Sequence, residues 1–350
     1  MSLITLNDLA MLAGVSRQAV SSVLSGCGSS RVSGQTRAKI MRLAQQLNYI
    51  PNPVAVSLAG HSTHSVGILL NVLWSPLVNC LCGEICELLL AHGYQPLLGI
   101  EASSGQRAPE VVRDLLARGI DGLILLLQCD QAAMSALQRV PFVYCSHHHR
   151  DSQFDIGVDT ELTGYLPTRH LLAHGHQRVC YLEIMPNASP TRIAGWKRAH
   201  TECGISVSEN EQINLRSLGG RAEKLLALLR QRGVSALFCS NDYVAVKTAC
   251  ALQDLGVRIP QDLALMGCDG YSFTEFYPGG ISTVIQPVHS IAETSVEMLL
   301  SRIAGKQLSV PRADIRVSPV LHLGASCGCP PQHLQTLYQI NTHPLLERDC

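Results

Sequence analysis

The stretch AGVSRQAVSSVLSG, residues 13–26, sets two short helical patterns on either side of a glycine. Upstream of it, Leu6, Leu9, Ala10 and Ala13 share one face of a helix that Thr5 can cap. Gly14 lets the chain turn with positive φ, a conformation that costs other residues energy. Val15 plugs the turn, Ser16 can cap a second helix over residues 17–24, and Val20, Val23 and Leu24 face inward. Ala10 is small where two helices must cross closely, and Gly14 and Val20 follow at the spacing of a helix-turn-helix. Such a motif lays its second helix in the major groove of DNA, although other helical hairpins share part of the pattern.

A third helix supports the unit. Ser33 can cap a run to about residue 47 in which Ile40, Leu43 and Leu47 form a seam, while Arg37, Lys39 and Arg42 point elsewhere. Pro51 and Pro53 end that pattern. Residues 54–60 make one or two turns, too short to be stable alone in water. Charge is concentrated here. The whole chain is formally neutral, yet residues 1–60 carry Arg17, Arg31, Arg37, Lys39 and Arg42 against Asp8 alone. A basic module ahead of a mildly acidic body points to a polyanion partner for the first part only.

The residues quoted, with TLNDLAMLAGVSRQAVSSVLSG followed by VSGQTRAKIMRLAQQLNYIPNPVAVSLAG, resemble the headpiece and hinge of the lactose-repressor/galactose-repressor (LacI/GalR) family of bacterial transcription regulators. The resemblance implies that Arg17, Gln18 and Ser21 open a recognition helix. Arginine can grip guanine and glutamine can grip adenine with paired hydrogen bonds, for about 1–3 kcal/mol of discrimination each. It also implies that Thr5, Ser16, Ser25 and Tyr49 touch phosphates or hold register, and that Asn52 and Ala55 lie at the DNA. Ser22 departs from the family, which usually has a guanine-reading arginine there, so the half-site is expected to differ. Leu58 matches the leucine that wedges into the central base step when two hinges pair over the minor groove.

After His61 the rhythm changes to apolar strands alternating with amphipathic helices, first over residues 65–146 and again from residue 155 onward. One helix, over 161–173, carries Pro167 and is expected to kink there. Continuous apolar strands separated by helices mean parallel sheets covered on both faces, and two successive series mean two subdomains with a ligand held between them. The expected fold is an all-α helix-turn-helix headpiece over 1–50, a hinge helix or linker over 51–61, an α/β periplasmic-binding-protein-like body over 62–330, and a tail over 331–350. The body would hold two doubly wound parallel-sheet subdomains.

The resemblance continues, more loosely, through HLLAHGHQRVCYL, TRIAGW, SALFCSNDYVAV and GVRIPQDLALMGCDG. It implies that Arg192, Asn241 and Asp269 hold sugar hydroxyls or an acidic effector group, tasks that suit a charged fork, an amide and a carboxylate. From the residues alone, Arg192 could equally be a helix-start ion pair, Asn241 and Asp242 a strand-end cap, and Asp269 a turn former. Ser146 stands where some sugar-sensing members place an acid, and Phe276, with Tyr271, Phe273 and Tyr277, can stack on a sugar ring or pack in the core. A sugar or sugar derivative is expected ahead of purines or other metabolites.

Other chemistries lack their signatures. Fourteen cysteines form no paired C-x₂-C knuckles, and most lie in apolar runs where a thiol behaves as a small hydrophobe. His170 and His174 share a helical face, read as a helix end rather than a metal site. No cofactor loop is found. The G-x-S-x-G at 324–328 runs into Pro330 and Pro331, so Ser326 cannot open the helix that a nucleophile elbow needs. No run is apolar and long enough to span a bilayer, and no signal peptide is read, so the expected protein is cytoplasmic. The expectation is an effector-controlled, dimeric repressor of a pseudo-palindromic operator, not an enzyme. A sugar-binding transport protein and an α/β enzyme are the alternatives.

Overall fold

The computed structural model describes residues 4–24, 32–49, 62–70, 76–101, 107–127, 135, 137, 140–146, 155–185, 189–305 and 315–330. The expected hinge over 51–61 with Asn52, Ala55 and Leu58, together with Ser25 and the tail over 331–350, lies outside them.

The first three helices are α1 (Leu6–Ala13), α2 (Arg17–Leu24) and α3 (Gly34–Gln46). Gly14 sits at φ 72° and closes α1 by donating to the Ala10 and Met11 carbonyls. Leu9, Val20 and Ile40 are fully buried where the three helices meet. Lys39 was expected to point outward, but its Nζ turns in and donates to the Ala13 carbonyl at 2.9 Å. It thereby caps the end of α1, where a cation complements both an orphan carbonyl and the helix dipole.

The body holds two sheets. The first has the order β11-β5-β4-β3-β1-β2, from β1 (Ser65–Leu70), β2 (Gln95–Ile100), β3 (Gly122–Leu125), β4 (Phe142–Ser146), β5 (Ile156–Val158) and β11 (Ile315–Val317). Each of its pairings is parallel. Helices α4 (Pro76–Ala91) and α5 (Ala108–Ala117) belong to this half. The second sheet has the order β7-β6-β8-β9, from β6 (Val179–Glu183), β7 (Gln212–Asn214), β8 (Ala236–Cys239) and β9 (Ala264–Met266). It is flanked by α6 (Thr160–Ala173), α7 (Pro190–Glu202), α8 (Ala222–Gln231) and α9 (Asp242–Gln253). Its strands are buried throughout at β6, β8 and β9, as a parallel sheet covered on both faces requires. The helix expected to kink at Pro167 continues through it as α6, with Pro167 buried.

The periodicity divides nothing after residue 270, and there the structure adds two features. An antiparallel pair, β10 (Thr283–Ile285) with β12 (Val320–His322), lies beside β9 through bridges at Met266–Ser282 and Asp269–Ile285. Helix α10 (Val288–Ile303) returns to the first half, where Ile291, Val296 and Leu299 join the core around Ile68, Ile85 and Ile124. The chain therefore passes between the halves three times, at Asp159, at Gln286–Pro287 and at Ser318–Pro319. Two passages are joined directly, because the Asp159 N–H donates to the Val317 carbonyl at 2.9 Å.

Candidate functional site

Two surfaces matter, and the first is the headpiece. Arg17 and Gln18 are exposed at the start of α2, with Ser21 and Ser22 half-buried one turn on. Ser16 caps this helix, its Oγ accepting from the Ala19 N–H at 3.2 Å, which leaves the hydroxyl proton to donate. Thr5 differs. Its hydroxyl donates to the Asp8 carboxylate at 2.7 Å while accepting from the Asp8 N–H, so a phosphate contact from Thr5 requires that bond to break. Burial raises the Tyr49 phenol pKa and Arg17 pulls it back, which places hydroxyl and guanidinium in one field.

The second surface lies at the carboxyl ends of the body strands, the expected place for a ligand in an open α/β sheet. Arg192, in the first turn of α7, is buried. Its Nε donates to Thr163 Oγ1 at 2.9 Å, its Nη1 donates to the Ser240 carbonyl, and its Nη2 lies 3.6 Å from Asp269 Oδ1. Close approach of α6 and α7 makes this arrangement possible. A Cβ on Gly164 would lie 1.9 Å from the Arg192 carbonyl oxygen, and one on Gly195 would lie 1.9 Å from that of Glu161. Two glycines facing each other's backbones thus bring Thr163 within reach of Arg192.

Asp269 holds φ at 117°, a backbone conformation strained for a residue with a side chain. Gln286 Nε2 donates to its Oδ1 at 2.7 Å, and the Tyr271 side chain lowers the pKa of the same carboxylate. Burial and the Asp269 charge raise the Tyr271 phenol pKa, and the Leu77 backbone, at the start of α4 in the other half, opposes the rise. Burial raises the Asp269 pKa and Arg192 opposes the rise. Beside it, Asp242 is fully buried, its Oδ2 accepting from Gly270 and Tyr271 N–H at 2.7 and 2.8 Å and its Oδ1 from Thr283 Oγ1 at 2.5 Å. Burial, with the Asp269 charge adding to it, pushes Asp242 up to about 7. Among the described residues the buried Tyr181 hydroxyl, which feels the Arg192 charge, has no hydrogen-bond partner.

The structure thus brings Arg192 and Asp269 together, and it separates the other expected residues from that pair by role. Asn241 Oδ1 accepts from the Val244 N–H at 2.9 Å and caps α9, which leaves only its amide protons to donate. Phe276 ends a 3₁₀ turn over Ser272–Phe276 with its ring 85% exposed. Ser146 ends β4. The sequence reading missed Thr163 and Gln286, and it gave Asp242 only as a cap. Ser326 is no nucleophile: its Oγ donates to the Leu265 carbonyl at 2.6 Å and accepts from the Ser282 N–H at 2.8 Å, 1% exposed.

A three-helix reader joined to a two-sheet body with a polar pair at its strand ends defines the class of ligand-controlled DNA-binding regulators. The family described as bacterial regulatory proteins, lacI family, matches residues 5–52, and a periplasmic binding protein-like domain matches residues 168–327. The chain thus carries the DNA-binding domain of the lacI family ahead of a periplasmic binding protein-like domain. The ribose operon repressor of Haemophilus influenzae is 29% identical over 306 residues, covering 85% of this chain and 92% of that one. The HTH-type transcriptional repressor PurR of Vibrio cholerae is 29% identical over 320 residues, covering 87% and 92%. Among solved structures, the Lac repressor dimer bound to operator and the anti-inducer ONPF superposes with a TM-score of 0.77 at 26% identity, covering 93% of this chain and 99% of that one. The CelR–cellobiose complex shares the fold, with a TM-score of 0.65 at 23% identity. The chain is an effector-controlled DNA-binding repressor. No helix among the described residues is long and apolar enough to cross a membrane.

Proposed function

We propose that two copies of the chain bind a pseudo-palindromic operator through α2, and that the cleft beside Arg192 and Asp269 takes a sugar or sugar derivative. The observation that carries the ligand reading is the buried Arg192–Asp269 pair, whose fork and carboxylate suit paired hydroxyls. Gln286 ties Asp269 to one interdomain passage, and the Tyr271 phenol beside Asp269 feels the Leu77 backbone of α4 in the other half. A ligand that competes for the Asp269 oxygens therefore changes both links at once, and the angle between the halves follows. This is binding chemistry, and it calls for no catalytic group. The cytoplasm is the compartment where such an operator is met.

Association of two copies is supported by an apolar edge. Leu98 and Ile100 alternate along one face of β2, the edge strand, and Leu90 ends α4 just before it, all three well exposed. Ser25, Asn52 and Ala55 are assigned to the DNA contact and Leu58 to the central wedge, so Leu58→Ala should weaken operator binding sharply while sparing effector binding.

The test is selection of bound duplexes from a random pool by full-length protein, followed by a sugar screen for compounds that change affinity at fixed salt. An inverted repeat should emerge, and one sugar class should shift its affinity. Binding that shows no preference for any inverted repeat over scrambled duplex would overturn the reading.

A further inference from the structure

About two and three turns along α6 from Thr163, two side chains at its C-terminal end meet a residue from the far end of the body. His170 and His174 are spaced i, i+4 and face the same side, with ring centroids 4.5 Å apart. Cys329 Sγ lies 3.5 Å from His170 Nε2 and 3.2 Å from His174 Nε2. All three potential ligand atoms fall within 4.8 Å of one another, and no other such cluster occurs among the described residues.

We propose that His170, His174 and Cys329 form a zinc(II) site. Zinc bonds of about 2.3 Å to sulfur and about 2.0–2.1 Å to nitrogen, at a tetrahedral angle, place the two donors about 3.6 Å apart. The two sulfur–nitrogen separations are within a few tenths of an ångström of that, and the two nitrogens, within 4.8 Å of each other, need to close to about 3.3 Å by rotation of the exposed His174 ring. One thiolate and two imidazoles are a donor set that zinc favours over magnesium or calcium, which take oxygen ligands. The helix end adds its own attraction, because the last turn of α6 presents the negative pole of the dipole to the cation.

The third ligand is fixed in place. The 3₁₀ turn Ala325–Cys327 is anchored by Ser326, and Gly328 takes φ 93° to swing Cys329 toward α6. His170 and Cys329 are half-buried and His174 is exposed, so the cluster is rigid on one side and open to solvent on the other. On binding, Cys329 gives up its thiol proton to solvent and its sulfur lone pair to the metal. Water completes the tetrahedron, and nothing is oxidised or reduced. The metal would pin the segment after β12 to the helix whose first turns carry Thr163.

The test uses full-length protein stripped by chelator and titrated with cobalt(II), then with zinc(II). One cobalt per chain should bind, with a thiolate-to-cobalt charge-transfer band and visible d–d bands, and zinc should displace it. Cys329→Ser should lose the charge-transfer band. Removing a ligand should cost more than the roughly 10–100-fold that loss of an outer-shell partner costs, so His174→Ala should weaken zinc binding by at least that factor. X-ray absorption on the zinc-loaded wild-type chain, which needs no variant to fold, should show one sulfur and two imidazole nitrogens. Absence of stoichiometric metal, a shell with two or more sulfurs, or an unchanged charge-transfer band in Cys329→Ser would each overturn the proposal.

Discussion

Arg192 meets three protein partners before any ligand arrives, Thr163, Ser240 and Asp269, and each uses a different edge of the guanidinium. Lysine can supply the charge but not the fork. Arg192→Lys should therefore lower effector affinity at least about tenfold, roughly 1.4 kcal/mol, while operator binding without effector persists; titration of each ligand separately checks this. Asp242 offers a pH test. Its folded pKa of about 7 lies above the ordinary 3.8, so its stabilising contribution is present at acid pH and is lost as pH rises from about 4 through about 7. Asp242→Asn should flatten the fall in unfolding stability between mildly acid and mildly alkaline buffer, read by denaturant midpoints. In the headpiece, Arg17→Ala should relax preference at one base position by about 1–3 kcal/mol. Lys39→Ala, which removes the α1 cap, should instead weaken all duplexes alike; competition between duplex variants separates the two.

The α6–α7 contact turns a backbone detail into a functional constraint. Gly164→Ala has nowhere to place its Cβ, because the obstacle is the Arg192 carbonyl rather than a flexible side chain end. The helices must separate, at a cost of about 1–3 kcal/mol, and Thr163 then leaves Arg192. A lowered Tm together with lost effector response should result, whereas Gly83→Ala at an exposed position of α4, where a Cβ meets nothing, should lower neither. At this scale the sequence was readable wherever an element's burial repeats locally. The headpiece seam of Leu9, Val20 and Ile40 and the apolar strands of both sheets are such cases. Helix α10 was not, because Ile291 and Leu299 have the same pattern whichever half they enter, and only the passage at Gln286 decides it. Thr163 and Gln286 were unreadable for a related reason: a threonine or glutamine has no assigned task until folding supplies its partner. The histidine pair was read as a plain helix end because Cys329 lies 155 residues beyond His174 in the chain.

Across the whole molecule, operator and effector act on one equilibrium, so the factor by which the effector changes operator affinity must equal the factor by which operator changes effector affinity. A factor of one, measured by titrating each ligand with and without the other, would show that the two do not share that equilibrium. The apolar edge at Leu90 and Leu98 belongs to the same scale: Leu98→Lys should shift the protein from dimer toward monomer in light scattering and weaken operator binding with it. The threefold passage of the backbone bears on how the gene would respond to damage. Because α10 and β11 complete the sheet that β1 began, a chain cut short near residue 287 loses the late-made pieces of its early-made half. Deletions from the 3′ end should thus mimic lesions near the start of the body, and no single cut can free one lobe as a folded fragment.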